Sequence, residues 1–280
     1  SYQSVPDVIN SFIDKYPDNQ NNDELKGLLI NSYITSKNYK EALTLIEKNK
    51  KPEYKPAYQK VTFYRGLELF TDGNYQEALK MFIKSLAENS DKKFSARAAF
   101  WKAESEFTLD KFNDALLSYK DFETNVEAKN TPEFKNYYYN LGYAYFKQKE
   151  YEQAGNAFQQ FIDANPSDKT KLNDAYLRLG DSRFVTSKYW PAMDAYNKVV
   201  ENKSVDADYA AFQKAISYGF VSKNDKKIED FNKFLQNFKN SQYRDDALFE
   251  LGNTYVNENK NDLAIKTYDQ ILSENKTGTY

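Results

Sequence analysis

The chain has 280 residues, and its 39 Lys and Arg residues nearly balance its 41 Asp and Glu residues, for a formal net charge of -2. This balance gives no electrostatic reason to expect a nucleic acid or an anionic membrane as partner. Cys and His are both absent, which excludes Ser-His, Cys-His and His-zinc chemistry for this chain acting alone. We therefore expect no enzyme and no metal site.

The sequence also lacks the motifs that bind common cofactors. No phosphate loop, dinucleotide fingerprint or serine-nucleophile elbow occurs, so no cofactor is expected. No stretch approaches the eighteen or so consecutive apolar residues that a membrane-spanning helix needs, and direct membrane insertion is not expected. The surplus of 24 Tyr and 20 Phe over 9 Gly and 7 Pro favours long packed elements.

In chain order, the first predicted element is a helix from about Val5 to Tyr16. Phe12 and Pro17 align with Phe161 and Pro166, which end a second helix further along. We therefore expect the chain to open on the second helix of a pair whose first helix is missing.

A repeated pattern follows, and it predicts seven helix pairs. A small residue is followed nine positions later by an aromatic residue, then three later by Ala and four later by another aromatic residue. The four positions are Ile30, Tyr39, Ala42 and Ile46 in the first pair; Gly66, Tyr75, Ala78 and Phe82 in the second; Ala103, Phe112, Ala115 and Tyr119 in the third; Gly142, Tyr151, Ala154 and Phe158 in the fourth; Gly180, Tyr189, Ala192 and Tyr196 in the fifth; Ala215, Asn224, Lys227 and Phe231 in the sixth; and Gly252, Asn261, Ala264 and Tyr268 in the seventh.

The residue types explain the pattern. Two antiparallel helices approach closely only where side chains are small, and aromatic side chains fill the space around such a crossing. The sixth pair departs furthest, because Asn224 and Lys227 replace an aromatic residue and an alanine. For this pair we expect looser packing or a shifted register.

The last helix is predicted to leave apolar area at the end of the array. Tyr268, Ile271 and Leu272 belong to a repeat helix, and only a short polar tail follows. Repeat arrays usually close with a polar-faced helix. We therefore expect residues 1–280 to form a single array that is a segment of a longer protein, or whose end another chain covers.

These residues resemble the tetratricopeptide repeat family across nearly the whole chain. The fourth pair matches its pattern most fully, with Tyr138 in place of the tryptophan, then Leu141-Gly142, Tyr145, Ala154, Phe158 and Pro166. The resemblance implies an all-α fold, a right-handed α-solenoid of stacked antiparallel helix pairs. The helix endings at 12–17 and 161–166 are similar to those of bacterial cell-envelope members such as the Tol-Pal coordinator, which implies a location in the bacterial periplasm or cell envelope.

The family resemblance also implies a site. First helices of successive pairs line a concave groove that usually takes a peptide or a helix of a partner protein. By position, the groove residues are Phe63, Leu67 and Phe70; Phe100, Glu104 and Phe107; Tyr139, Tyr143 and Phe146; Leu177, Asp181 and Phe184; and Phe212 and Ile216. Rigid aromatic side chains are favoured binding anchors, but aromatic residues at helical spacing also build cores, and both interpretations stay open for each residue.

Three functions remain as alternatives. The leading one is a non-enzymatic scaffold that holds a protein or peptide partner. The family's clamp for chaperone tails is missing, because its Lys and Asn positions hold residues such as Phe63, Leu67 and Glu104. The second alternative is a module that binds glycan or cell-wall material, and the third is the non-catalytic region of a larger enzyme. The sequence leaves the oligomeric state open.

Overall fold

The computed structural model describes residues 5–275, and that part of the chain is helical without a strand. The helices are α1 (Val5–Lys15), α2 (Asn22–Thr35), α3 (Tyr39–Asn49), α4 (Lys55–Thr71), α5 (Tyr75–Glu88), α6 (Lys92–Thr108), α7 (Phe112–Thr124), α8 (Phe134–Lys147), α9 (Tyr151–Asp163), α10 (Lys169–Val185), α11 (Tyr189–Glu201), α12 (Ala207–Phe220), α13 (Asn224–Asn237), α14 (Arg244–Asn257) and α15 (Asn261–Asn275). Short 3₁₀ turns at Pro52–Tyr54 and Ala128–Asn130 precede α4 and α8.

The helices form the predicted array of a leading helix and seven pairs. Within pairs, α4 packs on α5, α6 on α7, α10 on α11 and α14 on α15. Second helices also pack on the next first helix, as α5 does on α6 and α11 does on α12. The fold is an all-α solenoid, and the sequence prediction of its class is confirmed.

The chain divides into two compact units, Ser1–Asn140 and Leu141–Tyr280. We call them the N-terminal unit and the C-terminal unit and describe each by itself. The division falls inside α8.

Each core is organised around the last aromatic residue of the repeated pattern. Phe82 is fully buried in the N-terminal unit, and Phe158 and Phe231 are fully buried in the C-terminal unit. The small first residue of the pattern lies against this ring. A Cβ atom at Gly142 would lie 2.8 Å from the Phe158 ring, a separation that side chains do not tolerate. The close crossing expected from the sequence is therefore made by glycine against an aromatic ring.

The sixth pair, α12 and α13, keeps the register of the others, so the shifted register, one of the two alternatives expected for it, does not occur. Asn224 begins α13, as Tyr189 begins α11. The Lys227 side chain occupies space that other pairs fill with an aromatic residue, because Gly219 stands where α10 carries Phe184. A Cβ atom at Gly219 would lie 3.3 Å from Lys227 Cδ.

The ammonium group of Lys227 is also accommodated. It forms an ion pair with Glu250 on α14 at 2.8 Å and lies 5.8 Å from the centre of the buried Phe231 ring. Two departures from the pattern thus compensate one another.

Candidate functional site

The predicted groove residues occupy three positions on the first helices, and the earliest of these positions is mostly buried. Phe63 and Phe100 in the N-terminal unit and Leu177 in the C-terminal unit are at most 3% exposed. The Phe63 ring packs on Phe94, and the Phe100 ring packs on Phe122, with ring centres 5.4 Å apart in both cases.

These three side chains are therefore core residues, which corrects the expectation that they face the groove. The physical reason is that this position points at the space between the first helix and its stacked neighbours. Tyr139, which takes the same position on α8, is half-buried.

Side chains at the middle position differ in their exposure from one pair to the next. Leu67 and Glu104 in the N-terminal unit and Tyr143 in the C-terminal unit are half-buried. Asp181 is only 8% exposed, so the expectation that its carboxylate faces a partner is also corrected. The Asp181 carboxylate instead accepts hydrogen bonds from neighbouring side chains.

The last position forms a recurring ring contact with the start of the following helix. Phe70, Phe107, Phe146 and Phe184 are half-buried, and each lies edge-on to the first residue of the second helix, which is Tyr75, Phe112, Tyr151 and Tyr189 respectively. The ring centres are 5.0, 5.3, 5.2 and 5.6 Å apart, the geometry favoured by aromatic pairs. These residues fix the turn within each pair and present only part of their surface.

In the C-terminal unit, a polar cluster connects α8, α10, α11 and α12. The Tyr143 hydroxyl donates a short hydrogen bond to Asp174, and Arg178 Nε donates to the Tyr143 hydroxyl at 3.3 Å. Arg178 Nη1 donates to Asp181 at 2.9 Å. The guanidinium is thereby held at two of its three nitrogens.

Besides the hydrogen bond from Arg178, Asp181 accepts two hydrogen bonds from tyrosine hydroxyls. The hydroxyls of Tyr196 and Tyr209 donate to its carboxylate at 3.0 and 3.1 Å. Burial raises the pKa of Asp181 above its usual value, while Arg178 and the two tyrosines oppose the rise. Burial, followed by the Asp181 charge, raises the pKa of Tyr196 and Tyr209, so both hydroxyls keep their protons and act as donors.

The N-terminal unit contains a smaller arrangement of the same kind. The Glu104 carboxylate accepts a short hydrogen bond from Tyr119, and a second from Asn140 Nδ2 at 2.7 Å. Burial and the nearby Glu104 charge raise the pKa of the Tyr119 hydroxyl well above its usual value.

The two arrangements share a spacing that sequence reasoning missed. In three pairs a tyrosine on the second helix donates to an acceptor fifteen positions earlier on the first helix: Tyr119 to Glu104, Tyr196 to Asp181, and Tyr268 to Asn253 at 2.7 Å. Where phenylalanine takes the tyrosine's place, as Phe82, Phe158 and Phe231 do, the earlier position holds Leu67, Tyr143 and Ile216. This correlation was visible in the sequence: the second-helix residue is Tyr where the residue fifteen positions earlier is Glu, Asp or Asn, and Phe where that residue is Leu, Tyr or Ile.

A second feature that the sequence did not reveal lies in the N-terminal unit. Glu133, which directly precedes α8, is buried and accepts hydrogen bonds from Arg97 Nε at 2.9 Å and from Trp101 Nε1 at 3.0 Å. The Arg97 guanidinium also lies 4.5 Å from the centre of the Phe63 ring. This network supports α6 and has a structural role.

Two kinds of site are absent from the part of the chain that the structure describes. Residues 5–275 contain no group of three or more carboxylate side chains placed to hold a metal ion. Over the same residues, no helix is both long and apolar enough to cross a membrane.

Comparison with known families agrees with the repeat pattern. Tetratricopeptide-repeat family models match residues 65–126, 136–168 and 246–277, which correspond to the second and third, the fourth and the seventh helix pairs. The chain thus contains tetratricopeptide repeats in these three segments. No curated protein matches the sequence.

Solved structures of tetratricopeptide-repeat proteins share the fold. A crystal structure of MamA is 24% identical, covers 64% of this chain and 91% of its own, and gives a TM-score of 0.52. MamA from Desulfovibrio magneticus RS-1 is 19% identical, with coverages of 68% and 99% and a TM-score of 0.51. YrrB, described as a TPR protein with an unusual peptide-binding site, is 19% identical, with coverages of 69% and 91% and a TM-score of 0.52.

These findings support a protein-interaction scaffold. Members of the tetratricopeptide-repeat family bind protein or peptide partners and are typically not catalytic.

Proposed function

We propose that the first helices of the C-terminal unit bind an extended peptide segment of a partner protein. The observation that carries the proposal is the state of Arg178. Its Nε and Nη1 atoms are held by Tyr143, Asp174 and Asp181, while Nη2 makes no hydrogen bond within residues 5–275. The side chain is 31% exposed.

We call this guanidinium a prepared donor, because partners fix two of its nitrogen atoms while Nη2 is left to donate to a ligand. Its geometry is set before a ligand arrives, so little side-chain entropy remains to be lost when a carbonyl or carboxylate oxygen accepts from Nη2. Hydrogen bonds to charged donors are the stronger kind. An extended peptide offers such oxygens from its backbone and from acidic side chains.

Aromatic side chains belong to the cluster that holds this donor and to the next first helix, α12. Tyr143 and Tyr209 belong to the same cluster, and Phe212 on α12 is half-buried and stacked on Tyr243 at 5.6 Å. Rigid rings around a polar anchor are typical of binding surfaces in which a few residues supply most of the affinity.

The experiment is to select peptides on the protein from a random display library and measure the affinity of a selected peptide for two variants. Arg178→Gln removes the prepared donor, and we expect affinity to fall about tenfold or more, the value of one hydrogen bond to a charged group. Arg183→Gln is the matched control on the same helix, because Arg183 donates to Glu152 and Asn156 on α9 instead. We expect a change below about twofold for the control.

Circular dichroism of both variants confirms that the fold is retained. If Arg178→Gln binds the peptide as tightly as the wild type, or if Arg183→Gln weakens binding as much as Arg178→Gln does, Arg178 is not the donor that holds the peptide and the proposal is wrong.

The remaining parts of the sequence prediction are also proposals. We propose that residues 1–280 act as a single array without enzymatic activity, supported by the recurrence of the four-position pattern from Ile30 to Tyr268. A bacterial periplasmic or envelope location is supported by the helix endings at 12–17 and 161–166. Cell fractionation with detection of the native protein tests the location, and recovery in the cytoplasmic fraction would contradict it.

A further inference from the structure

A cavity of about 630 Å³ lies in the N-terminal unit, where α3 ends, α4 begins and α5 ends. Its volume is in the range of pockets that bind small ligands. None of the predicted groove residues lines it. It is therefore separate from the surface proposed above and does not depend on that proposal.

Part of the lining is apolar. Ile46 is 4% exposed and Tyr54 is 7% exposed, and both form part of the buried cluster between α2, α3 and α4. Tyr58 is half-buried and packs against the same cluster. A ligand with a small apolar body would find contact area on these side chains.

Two of the charged groups around the cavity already have partners. Glu47 forms an ion pair with Lys84 at 2.8 Å and accepts a hydrogen bond from the Tyr58 hydroxyl at 3.1 Å. Lys51 forms an ion pair with Asp23 at 2.6 Å. Both groups are therefore largely neutralised towards a ligand.

The unpaired groups leave an excess of positive charge. Lys50 at the end of α3 and Lys55 at the start of α4 are exposed and line the cavity, and within residues 5–275 neither ammonium group forms an ion pair or hydrogen bond. Glu88 of α5 also lines the cavity without an ion pair in the described chain. Two unpaired cations thus face one unpaired carboxylate.

We propose that this cavity binds an anionic group, a carboxylate or a phosphate, that is attached to an apolar body. The anion lies between Lys50 and Lys55, and the apolar body contacts Ile46, Tyr54 and Tyr58. Glu88 opposes binding, because its carboxylate repels the anion. The anion can belong to a free small molecule or to an acidic peptide, and the two sources have the same recognition chemistry.

The test is a titration of the whole chain, followed by NMR, with phenyl phosphate for the small-molecule source and acetyl-Asp-Phe-amide for the peptide source. Benzyl alcohol is the uncharged control. We expect one or both anionic probes to bind, with saturable shifts of tyrosine ring signals, and benzyl alcohol to bind at least fivefold more weakly. The tighter anionic probe identifies the source.

Three variants should change the affinity for the probe, two of them by weakening binding and the third by strengthening it. Lys50→Asn and Lys55→Gln should each weaken the better probe about two- to fivefold, the effect of one exposed ion pair, whereas Glu88→Gln should strengthen it by a similar factor. Asn is chosen at Lys50 because the backbone there has φ of 42°, which Asn tolerates. Lys37→Asn is the matched control, at an exposed lysine with φ of 62° away from the cavity, and should change nothing.

Several results would overturn the proposal. These are equal binding of benzyl alcohol, no saturable binding of either anionic probe, lysine variants that bind like the wild type, or weaker binding by Glu88→Gln. Retention of the wild-type circular dichroism by each variant separates these results from a failure to fold.

Discussion

At the scale of single residues, the turn inside each helix pair repeats one backbone conformation. The second residue before each second helix has a positive φ in all seven pairs: Lys37, Gly73, Asp110, Lys149, Ser187, Ser222 and Asn259, with φ between 55° and 78°. The next amide donates back to a carbonyl of the first helix, as Glu150 N does to Tyr145 O at 3.0 Å. This is the hydrogen bond of a Schellman motif, which ends a helix.

Only one of these seven residues is glycine, which leads to a prediction. A residue with a Cβ atom in the left-handed conformation costs about 1–2 kcal/mol of stability. Glycine avoids this cost, but it loses more chain entropy on folding, which costs roughly 0.5–1 kcal/mol. Lys149 is exposed and its ammonium group has no partner in the described chain. We expect Lys149→Gly to raise the free energy of unfolding by about 0.5–1 kcal/mol, measured by urea denaturation.

The opposite change at the same turn position is the control. Gly73 has φ of 78°, so Gly73→Ala should lower stability by a similar amount. Destabilisation by Lys149→Gly would show that this turn is not strained by its side chain.

The burial and the hydrogen bonds of single residues explain why the candidate site could be predicted only in part from the sequence. The sequence placed Phe63, Phe100 and Leu177 on the correct helices, but whether a position is covered depends on the size of side chains on neighbouring helices. The role of Asp181 could not be read from its own position, since it depends on hydroxyls of Tyr196 and Tyr209. Such pairing appears only when two distant residues are considered together.

At the scale of elements, the sixth pair shows that the repeat tolerates exchange between two positions. Lys227 on α13 fills the space beside Gly219 on α12 and forms an ion pair with Glu250 on α14. In the sequence Lys227 is a departure when its own position is considered alone, and the compensation lies at Gly219, the position that carries Phe184 in α10.

A double-mutant cycle tests this compensation. Gly219→Phe alone forces a ring into the space of Lys227 and should cost about 1–3 kcal/mol by overpacking. Lys227→Ala alone removes the ion pair and the packing of the long side chain, and should also destabilise. The double variant restores Phe and Ala at these two positions, and we expect it to be more stable than the sum of the single changes by at least about 1 kcal/mol.

The cycle is measured by chemical denaturation of the four proteins. Additive effects within about 0.3–0.5 kcal/mol would mean that the two positions are independent and that Lys227 does not replace the aromatic residue.

At the scale of the whole molecule, the fold was predictable for a physical reason. Each helix pair needs a small residue at its crossing and large rings around it, so the same residue types return with each pair, and the period is visible without any knowledge of contacts. A binding surface has no such period. The proposed surface lies where side chains of different pairs meet, as Arg178, Tyr143 and Tyr209 do in the C-terminal unit.

We infer that the first helices, rather than the second helices, hold the partner. The chain has no cysteine, so a single introduced cysteine can carry an environment-sensitive fluorophore without a background. Gln213→Cys places the fluorophore on α12, a first helix, and Lys198→Cys places it on the exposed side of α11, a second helix. Both labelled proteins are titrated with a peptide selected on the unlabelled chain. We predict a saturable fluorescence change at position 213, with the dissociation constant of the unlabelled protein, and none at position 198. A saturable change at 198 without one at 213 would contradict the account.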